Sequence, residues 1–525
     1  MRSNNRTLVS FVLSFLLFTA LVSVNAQPIT SAEIDNLVNK TLKTFDVPGI
    51  AVAVVKDNKV IHAKGYGVTS ILTNQPVDAN TLFGIASNSK AFTVAALGIL
   101  VDEKKISWDT KVIDIIPEFR LYSPYVTEDF TIRDMLTHRS GLGLGAGDLM
   151  IWPGPTDFTR KDVIYNLRFL KQTSGFRTKY DYDNLMYIVA GEVVQRVSGM
   201  SWEDFVETHI MKPLGMTSSA PSFTLLKDRT DVIDPHVPVN GKLVVVDRHE
   251  VEMSNSAGGI YSNVNDLSKW VMMHLNDGRY GDNLSQTLLS ENVHREMWSP
   301  QTIIKVNSPG GYNTHFRSYG LGFNLRDVKG YLEVSHTGAL SGMVTQITMI
   351  PELKLGIIVL TNQQCGEAFA SITTTILDSY LGVKGVDRVK QFHDSYLNDL
   401  AYAKGVTDKI WKEVDAQSSG NSYKPDYSVY AGTYTDNWFG DVYIRAEGDR
   451  LRFISKRSPK ICGDLKFYKG NTFIAKWDDR SLDADAFVVF SIDENDKASG
   501  IKMKVISPLT DFSFDFQDLD LRRND

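Results

Sequence analysis

Residues 82–100 read Leu-Phe-Gly-Ile-Ala-Ser-Asn-Ser-Lys-Ala-Phe-Thr-Val-Ala-Ala-Leu-Gly-Ile-Leu. A short apolar run ends at Ala86. Ser87 follows at the boundary, Lys90 three residues later, and then an almost wholly apolar helix, Ala91 to Leu100. Residues three apart at a helix start share one face, one turn apart. A helix this apolar belongs inside a protein, so Lys90 points into a closed space, where burial disfavours the ammonium and lowers its pKa. A neutral lysine beside a serine hydroxyl can act as general base and turn Ser87 into a nucleophile. The helix N-terminus adds backbone N–H groups and a positive dipole end near a developing oxyanion. For Ser87 alone, a helix cap accounts for the pattern as well as catalysis does. A second S-x-x-K, Ser499 to Lys502, lies in an alternating β segment whose positions three apart face opposite ways.

Working outward, Tyr182-Asp183-Asn184 introduces another apolar helical run, Leu185 to Val194. A tyrosine hydroxyl aimed at Ser87 could shuttle its proton, and Asn184 could hydrogen-bond a substrate amide. Tyr261-Ser262-Asn263 and Tyr396-Leu397-Asn398 share the Y-x-N pattern. Tyr396 falls in a connecting helix, and Tyr261 is the alternative to Tyr182. His336-Thr337-Gly338 ends a predicted strand and is followed by Ala339. A small residue at 338 would let a substrate backbone lie on the strand edge. His336 and Thr337 are candidates for binding a carboxylate, with His336 partly charged near neutral pH. The N–H groups of Ser87 and Ala339 are the candidate oxyanion hole.

The 525-residue chain predicts more than one unit. Arg2 and Arg6, the apolar run Leu8 to Val22, and Val24-Asn25-Ala26 read as a secretory signal at residues 1–26, cleaved after Ala26. The run is too short for a stable membrane anchor, so the mature protein is expected to be secreted or periplasmic. Ser31 to Phe45 predicts a helix with Ser31 as N-cap. Ile50–Val55 and Val60–Gly65, joined by Lys56 to Lys59, predict a β-hairpin. Tyr331–Ser335, Val344–Ile350 and Leu355–Leu360 read as strands, and Glu367 to Leu381 as a helix. Strands therefore open and close residues 27–382, with helices between. The fold class is α+β: an antiparallel sheet from both chain ends with an inserted helical subdomain.

Residues 383–422 read as a helical connector ending in the Ser/Gly linker Gln417 to Ser422. From 423 to 525, short alternating segments predict a small all-β barrel, with Phe512, Phe514 and Phe516 on one face of its last strand. A net charge of −6 argues against nucleic acid as partner. Cys365 and Cys462 read as two buried free thiols in different domains, and no spacing suggests a metal site.

In combination, S-x-x-K, Y-x-N and H-T-G resemble the motif set of the serine β-lactamase and penicillin-binding-protein superfamily, on its class C β-lactamase and D-alanyl-D-alanine carboxypeptidase side. The likeness runs from about Ile34 to Leu381 and includes Thr131 to Leu142, Pro213 to Met216, Ala257 to Ser262 and Tyr319 to Phe323. The resemblance implies a β-lactamase/transpeptidase-like fold, Ser87 as acyl-enzyme nucleophile, and Lys90 and Tyr182, in preference to Tyr261, as proton-transfer groups. It implies no cofactor. The segment after Tyr423 resembles a lipocalin-like β-barrel appended to some members, whose candidate roles are covering the active-site mouth and mediating oligomerisation. Class C enzymes carry Lys where this chain has His336, whereas H-T-G is similar to some D,D-carboxypeptidases and D-specific peptidases. The expected activity is amide or ester hydrolysis of small molecules or peptides, with D-residue peptides or cell-wall fragments foremost. A class C-like β-lactamase is the second reading, and an idle penicillin-binding or scaffold protein the third.

Overall fold

A computed structural model describes residues 28–418 and 425–524. The signal segment and most of the Ser/Gly linker lie outside them. The catalytic region is built on one antiparallel sheet of eight strands: β1 (Gly49–Lys56), β2 (Lys59–Gly67), β3 (Thr302–Ile303), β4 (Arg317–Tyr319), β5 (Asn324–Val328), β6 (Tyr331–Leu340), β7 (Met343–Ile350) and β8 (Leu355–Thr361). Their spatial order is β2-β1-β8-β7-β6-β5-β4-β3. The first two strands thus insert beside the last, and residues 68–301 form the helical part between them. The β1–β2 turn is closed by Asp57 and Asn58, both left-handed at φ 48° and 61°, as a two-residue hairpin requires.

The central strands are apolar on both faces because both faces are covered. Ile50, Val52 and Val54 share one core with Ile357 and Val359 and with helices α1 (Ser31–Phe45) and α5 (Gly366–Leu381). Ala51, Ala53 and Val55 face a second core with Ile358 and Leu360. Each fully buried aliphatic side chain contributes about 1.5–3 kcal/mol relative to exposure. Three helices of the second core concern the site: α2 (Ser89–Asp102), α3 (Leu185–Ser198) and α4 (Val264–Leu275). Gly356 lets α4 lie against the sheet, since a Cβ there would meet Val271 at 2.3 Å. Phe92 of α2 stacks on Trp270 of α4, centroids 3.9 Å apart. Thr30, rather than the expected Ser31, caps α1, with Glu33 completing a capping box.

Helix α6 (Arg388–Ser418) leads toward the C-terminal unit and packs Ile410, Trp411 and Val414 on its outside, against Tyr468, Ile474 and Ile506. That unit is a closed eight-stranded barrel: β9 (Gly432–Asp436), β10 (Gly440–Glu447), β11 (Arg450–Ser455), β12 (Cys462–Lys469), β13 (Thr472–Trp477), β14 (Ala486–Ile492), β15 (Ala498–Val505) and β16 (Leu521–Arg523). Alternate residues such as Val442, Ile444, Phe453 and Phe490 fill its interior. The Phe512–Phe516 segment is not a strand. Asp511 Oδ1 accepts the Ser513 N–H, turning the chain in a loop between β15 and β16. Phe514 and Phe516 enter the barrel core, while Phe512 is 40% exposed. Cys365 is buried and Cys462 only half-buried, and both are free.

The barrel does not pack alone. One buried cluster runs from the catalytic region into it. Phe158 stacks on Phe439, the Arg457 guanidinium covers Phe158, and Asn166 donates to the Trp438 carbonyl at 2.8 Å.

Candidate active site

Ser87 sits in a 3-10 turn, Ala86–Asn88, directly ahead of α2. Ala86 is held at φ 51°, a left-handed backbone that a non-glycine residue adopts only when its surroundings fix it. Strands β6 and β7 do the fixing. Thr345 Oγ donates to the Ile85 carbonyl at 3.0 Å and accepts from Asn88 Nδ2 at 2.9 Å. Gly338 lies so close that a Cβ would meet Ile85 O at 2.3 Å and Ala86 Cβ at 2.9 Å. The glycine of the H-T-G triplet thus makes room for the serine turn rather than for substrate.

Lys90 is fully buried one turn beyond Ser87. Its Nζ lies 3.1 Å from Ser87 Oγ, 2.7 Å from Asn184 Oδ1 and 2.9 Å from the Ala257 carbonyl. Burial lowers its pKa to about 7, against the pull of Asp148 and Asp183. The Asn184 and Ala257 oxygens only accept. A neutral amine spends its two hydrogens on them and turns its lone pair to Ser87. The Tyr182 hydroxyl interacts with Ser87, and burial pushes its pKa well up, so it remains a phenol. Its ring lies 4.9 Å from Lys90 Nζ. Tyr261, the alternative, instead pairs with Gly84 in a short ladder beneath the serine turn.

Asn184 lines the cleft with its amide already partly engaged. Oδ1 is engaged by Lys90, and Nδ2 donates to Asp148 Oδ2 at 2.7 Å. His336 differs from expectation. It is buried, 3% exposed, with Nδ1 2.6 Å from the Thr337 carbonyl and Nε2 2.8 Å from the Tyr319 hydroxyl. A carbonyl cannot donate, so Nδ1 carries the proton and Nε2 accepts from Tyr319. Burial, with Lys90 nearby, lowers the imidazole pKa to about 3. His336 is therefore neutral at physiological pH and does not serve as the cation for a carboxylate.

Thr337 and Ala339 are exposed on the open part of β6. Strand β5 pairs with β6 only as far as Ser335, and among the described residues no strand pairs with the edge from His336 to Leu340 on that side. Ser87, Tyr182, Asn184, His336, Thr337 and Ala339 line one cleft of about 360 Å³. Leu144, Ile151, Trp152, Tyr180 and Phe512 make its walls largely apolar, and Arg317 contributes a cation.

Several residues of this site carried no sequence assignment. His138, inside the Thr131 to Leu142 stretch, accepts the Asp183 N–H through Nδ1 at 3.1 Å and packs its ring 4.2 Å from Tyr182. Burial raises Asp183 to about 7 and Asp148 well above the carboxylate range. The run Gly141, Gly143, Gly145, Gly147, all at positive φ, was the available signal for the tight loop that carries Asp148.

Comparison with known proteins supplies the family and the fold. A model of the Beta-lactamase family matches residues 34–380. A second, a domain of unknown function (DUF3471), matches residues 419–523. The unguisins hydrolase ungD of Aspergillus violaceofuscus is 28% identical over 435 residues, covering 78% of this chain and 75% of that protein. Protein flp of Staphylococcus aureus is 25% identical over 343 residues, 63% of this chain and 62% of its own. The octameric penicillin-binding protein homologue from Pyrococcus abyssi superposes with a TM-score of 0.60 at 21% identity, over 94% of this chain and 100% of that one. A class C beta-lactamase superposes with a TM-score of 0.53 at 19% identity, over 67% of this chain and 96% of its own. The chain belongs to the Beta-lactamase family of β-lactamase-fold serine hydrolases.

Proposed function

We propose that this protein is an exported serine hydrolase that cleaves amide or ester bonds through an acyl-enzyme on Ser87. The observation that carries the reading is the Lys90 amine: buried, its pKa lowered to about 7, and its Nζ within 3.1 Å of Ser87 Oγ while also meeting the Asn184 and Ala257 oxygens. In acylation, Ser87 Oγ bonds to the substrate carbonyl carbon while its proton passes to Lys90 Nζ. The oxyanion is received by the N–H groups of Ser87 and Ala339. Tyr182, kept protonated by burial, gives its proton to the leaving nitrogen or oxygen, and the Lys90 ammonium restores it. Water then attacks the ester, with Lys90 again as base.

The substrate class follows from the cleft. Its apolar aromatic walls suit an uncharged acyl group. Arg317, rather than the neutral His336, is the group suited to a substrate carboxylate. Peptides containing D-residues, or cell-wall fragments, fit that combination. The similarity to a relative named as a hydrolase of unguisins supports hydrolysis over an idle scaffold.

The test is a turnover screen of D-peptides, simple esters and penicillins with the full chain, with Ser87→Ala as control. Turnover of D-peptides or esters that Ser87→Ala lacks supports the reading. Rapid penicillin turnover instead favours a β-lactamase, and turnover retained by Ser87→Ala overturns it.

A further inference from the structure

We propose that the C-terminal barrel is a working part of the active site, with Ser513 as a positioning residue that orients the Lys90 amine through Asp148 and Asn184. The inference rests on the serine-hydrolase reading above and concerns the same site.

The loop between β15 and β16 reaches into the cleft, where Asp511, Phe512 and Ser513 line one wall. Ser513 Oγ donates to Asp148 Oδ2 at 2.9 Å. Asn184 Nδ2 donates to the same oxygen at 2.7 Å, Lys90 Nζ meets Asn184 Oδ1 at 2.7 Å, and Ser87 Oγ is 3.1 Å beyond. Four hydrogen bonds thus connect the barrel to the candidate nucleophile. Asp515, fully buried, brackets Asp148 by accepting the Gly147 N–H at 2.6 Å and the Leu149 N–H at 3.0 Å.

The chain of bonds has a direction. An asparagine amide can face Lys90 with its oxygen or its nitrogen, and only the oxygen can accept from the amine. Asp148 Oδ2 fixes that choice by accepting from Nδ2. The Ser513 hydroxyl, donating to the same oxygen, marks it as the acceptor and leaves the carboxyl proton to Oδ1. Beside this chain, Phe512 lies edge-on to Tyr182 with centroids 5.8 Å apart, and it covers Gly145, whose N–H donates to the Tyr182 carbonyl.

The groups facing Lys90 are Asp148 and Asp183, the rings of Tyr182 and Tyr187, and the neutral imidazoles of His138 and His336. Losing the Ser513 donor leaves Asp148 and the Asn184 amide free to turn, so the Lys90 amine loses its orienting acceptor. The plateau rate should therefore fall while the midpoint, set by the burial of Lys90, stays near the wild-type value.

The experiment is the second-order labelling rate of the full chain by a fluorophosphonate probe from pH 5 to 9, with melting temperature read for each protein. For Ser513→Ala the plateau rate should fall roughly tenfold with the midpoint near the wild-type value, at an unchanged melting temperature. Ser513→Thr, which keeps the donor, should stay within about twofold of wild type, and Ser513→Cys, of similar volume and weaker donor, should fall between. A wild-type plateau in Ser513→Ala overturns the proposal alone. So does equal loss in Ser513→Ala and Ser513→Thr. An unlabelled wild type overturns the serine-hydrolase reading and the proposal with it.

Discussion

The α-carbon of Gly338 faces the carbonyl of Ile85 so closely that a Cβ at 338 would lie 2.3 Å from that oxygen. The strand carrying the H-T-G triplet and the turn carrying Ser87 are therefore one fitted joint. Gly338→Ala must push the turn away from β6 and misalign Ser87 with the Ala339 N–H. We expect the acylation rate to fall about 100-fold, the scale of a displaced reacting group, with overpacking costing about 1–3 kcal/mol of stability. Single-turnover kinetics and thermal unfolding read both. Wild-type acylation in Gly338→Ala would remove the joint from the mechanism.

The pH profile of acylation has a defined sign. The reactive form of Lys90 is the neutral amine, and its pKa is lowered to about 7 by burial. Acylation should be slow at pH 5, rise through about 7 and reach a plateau above it. Lys90→Arg, charged at every accessible pH, should abolish the rise and the activity. The check is burst-phase acylation across pH, and a flat profile in the wild type would exclude Lys90 as base.

His336 should not titrate in the neutral range. With its pKa near 3, the imidazole stays neutral, protonated on Nδ1, from pH 5 upward. Long-range ¹H–¹⁵N correlation spectra should show one neutral tautomer throughout. A transition between pH 6 and 7 would restore the histidine to carboxylate recognition.

Asp134 holds the loop that delivers His138 and Tyr182. Its Oδ1 accepts from Arg139 and Arg177 Nε at 2.7 and 2.8 Å, and its Oδ2 from Arg177 Nη2 and Thr131 Oγ at 2.6 and 2.7 Å. Burial alone would raise its pKa, but the Arg177, Thr131 and Arg139 contacts outweigh burial and lower it. A lowered folded pKa stabilises the protein above the unfolded value of about 3.9 and is lost as pH falls through the folded one. Asp134→Ala should cost about 3 kcal/mol at pH 7, because two guanidinium groups lose a buried partner. Chemical denaturation measures this, and a loss below about 0.5 kcal/mol would show the cluster to be incidental.

How much of this was legible in the sequence differs between levels. The sheet was, because β1 and β8 are nearly continuous apolar runs bounded by turns, and such runs report burial directly. The closeness of Ser87 and Lys90 was, because a three-residue spacing at a helix start fixes their geometry locally. The role of Gly338 was misread, and the partners of Asn184 were not legible. Lys90, Asp148 and Ile85 come from distant segments, and only the folded chain shows that the amide is partly used and the space beside Gly338 already filled. His336 was misread for a related reason: a histidine's charge depends on burial, and neither Tyr319 nor Lys90 is near it in sequence. Phe512, Phe514 and Phe516 alternate as a strand would, but the Asp511 turn overrides the alternation. The contact of the barrel with Asp148 left no local signal, since Ser513 and Asp148 are 365 positions apart.

Ser87 as nucleophile is tested most directly by intact-protein mass spectrometry after exposure to the fluorophosphonate probe, followed by peptide mapping. One adduct per chain should form, on the peptide containing Ser87, and Ser87→Ala should form none while melting at the wild-type temperature. An adduct mapped to another serine, or one that persists in folded Ser87→Ala, would contradict it.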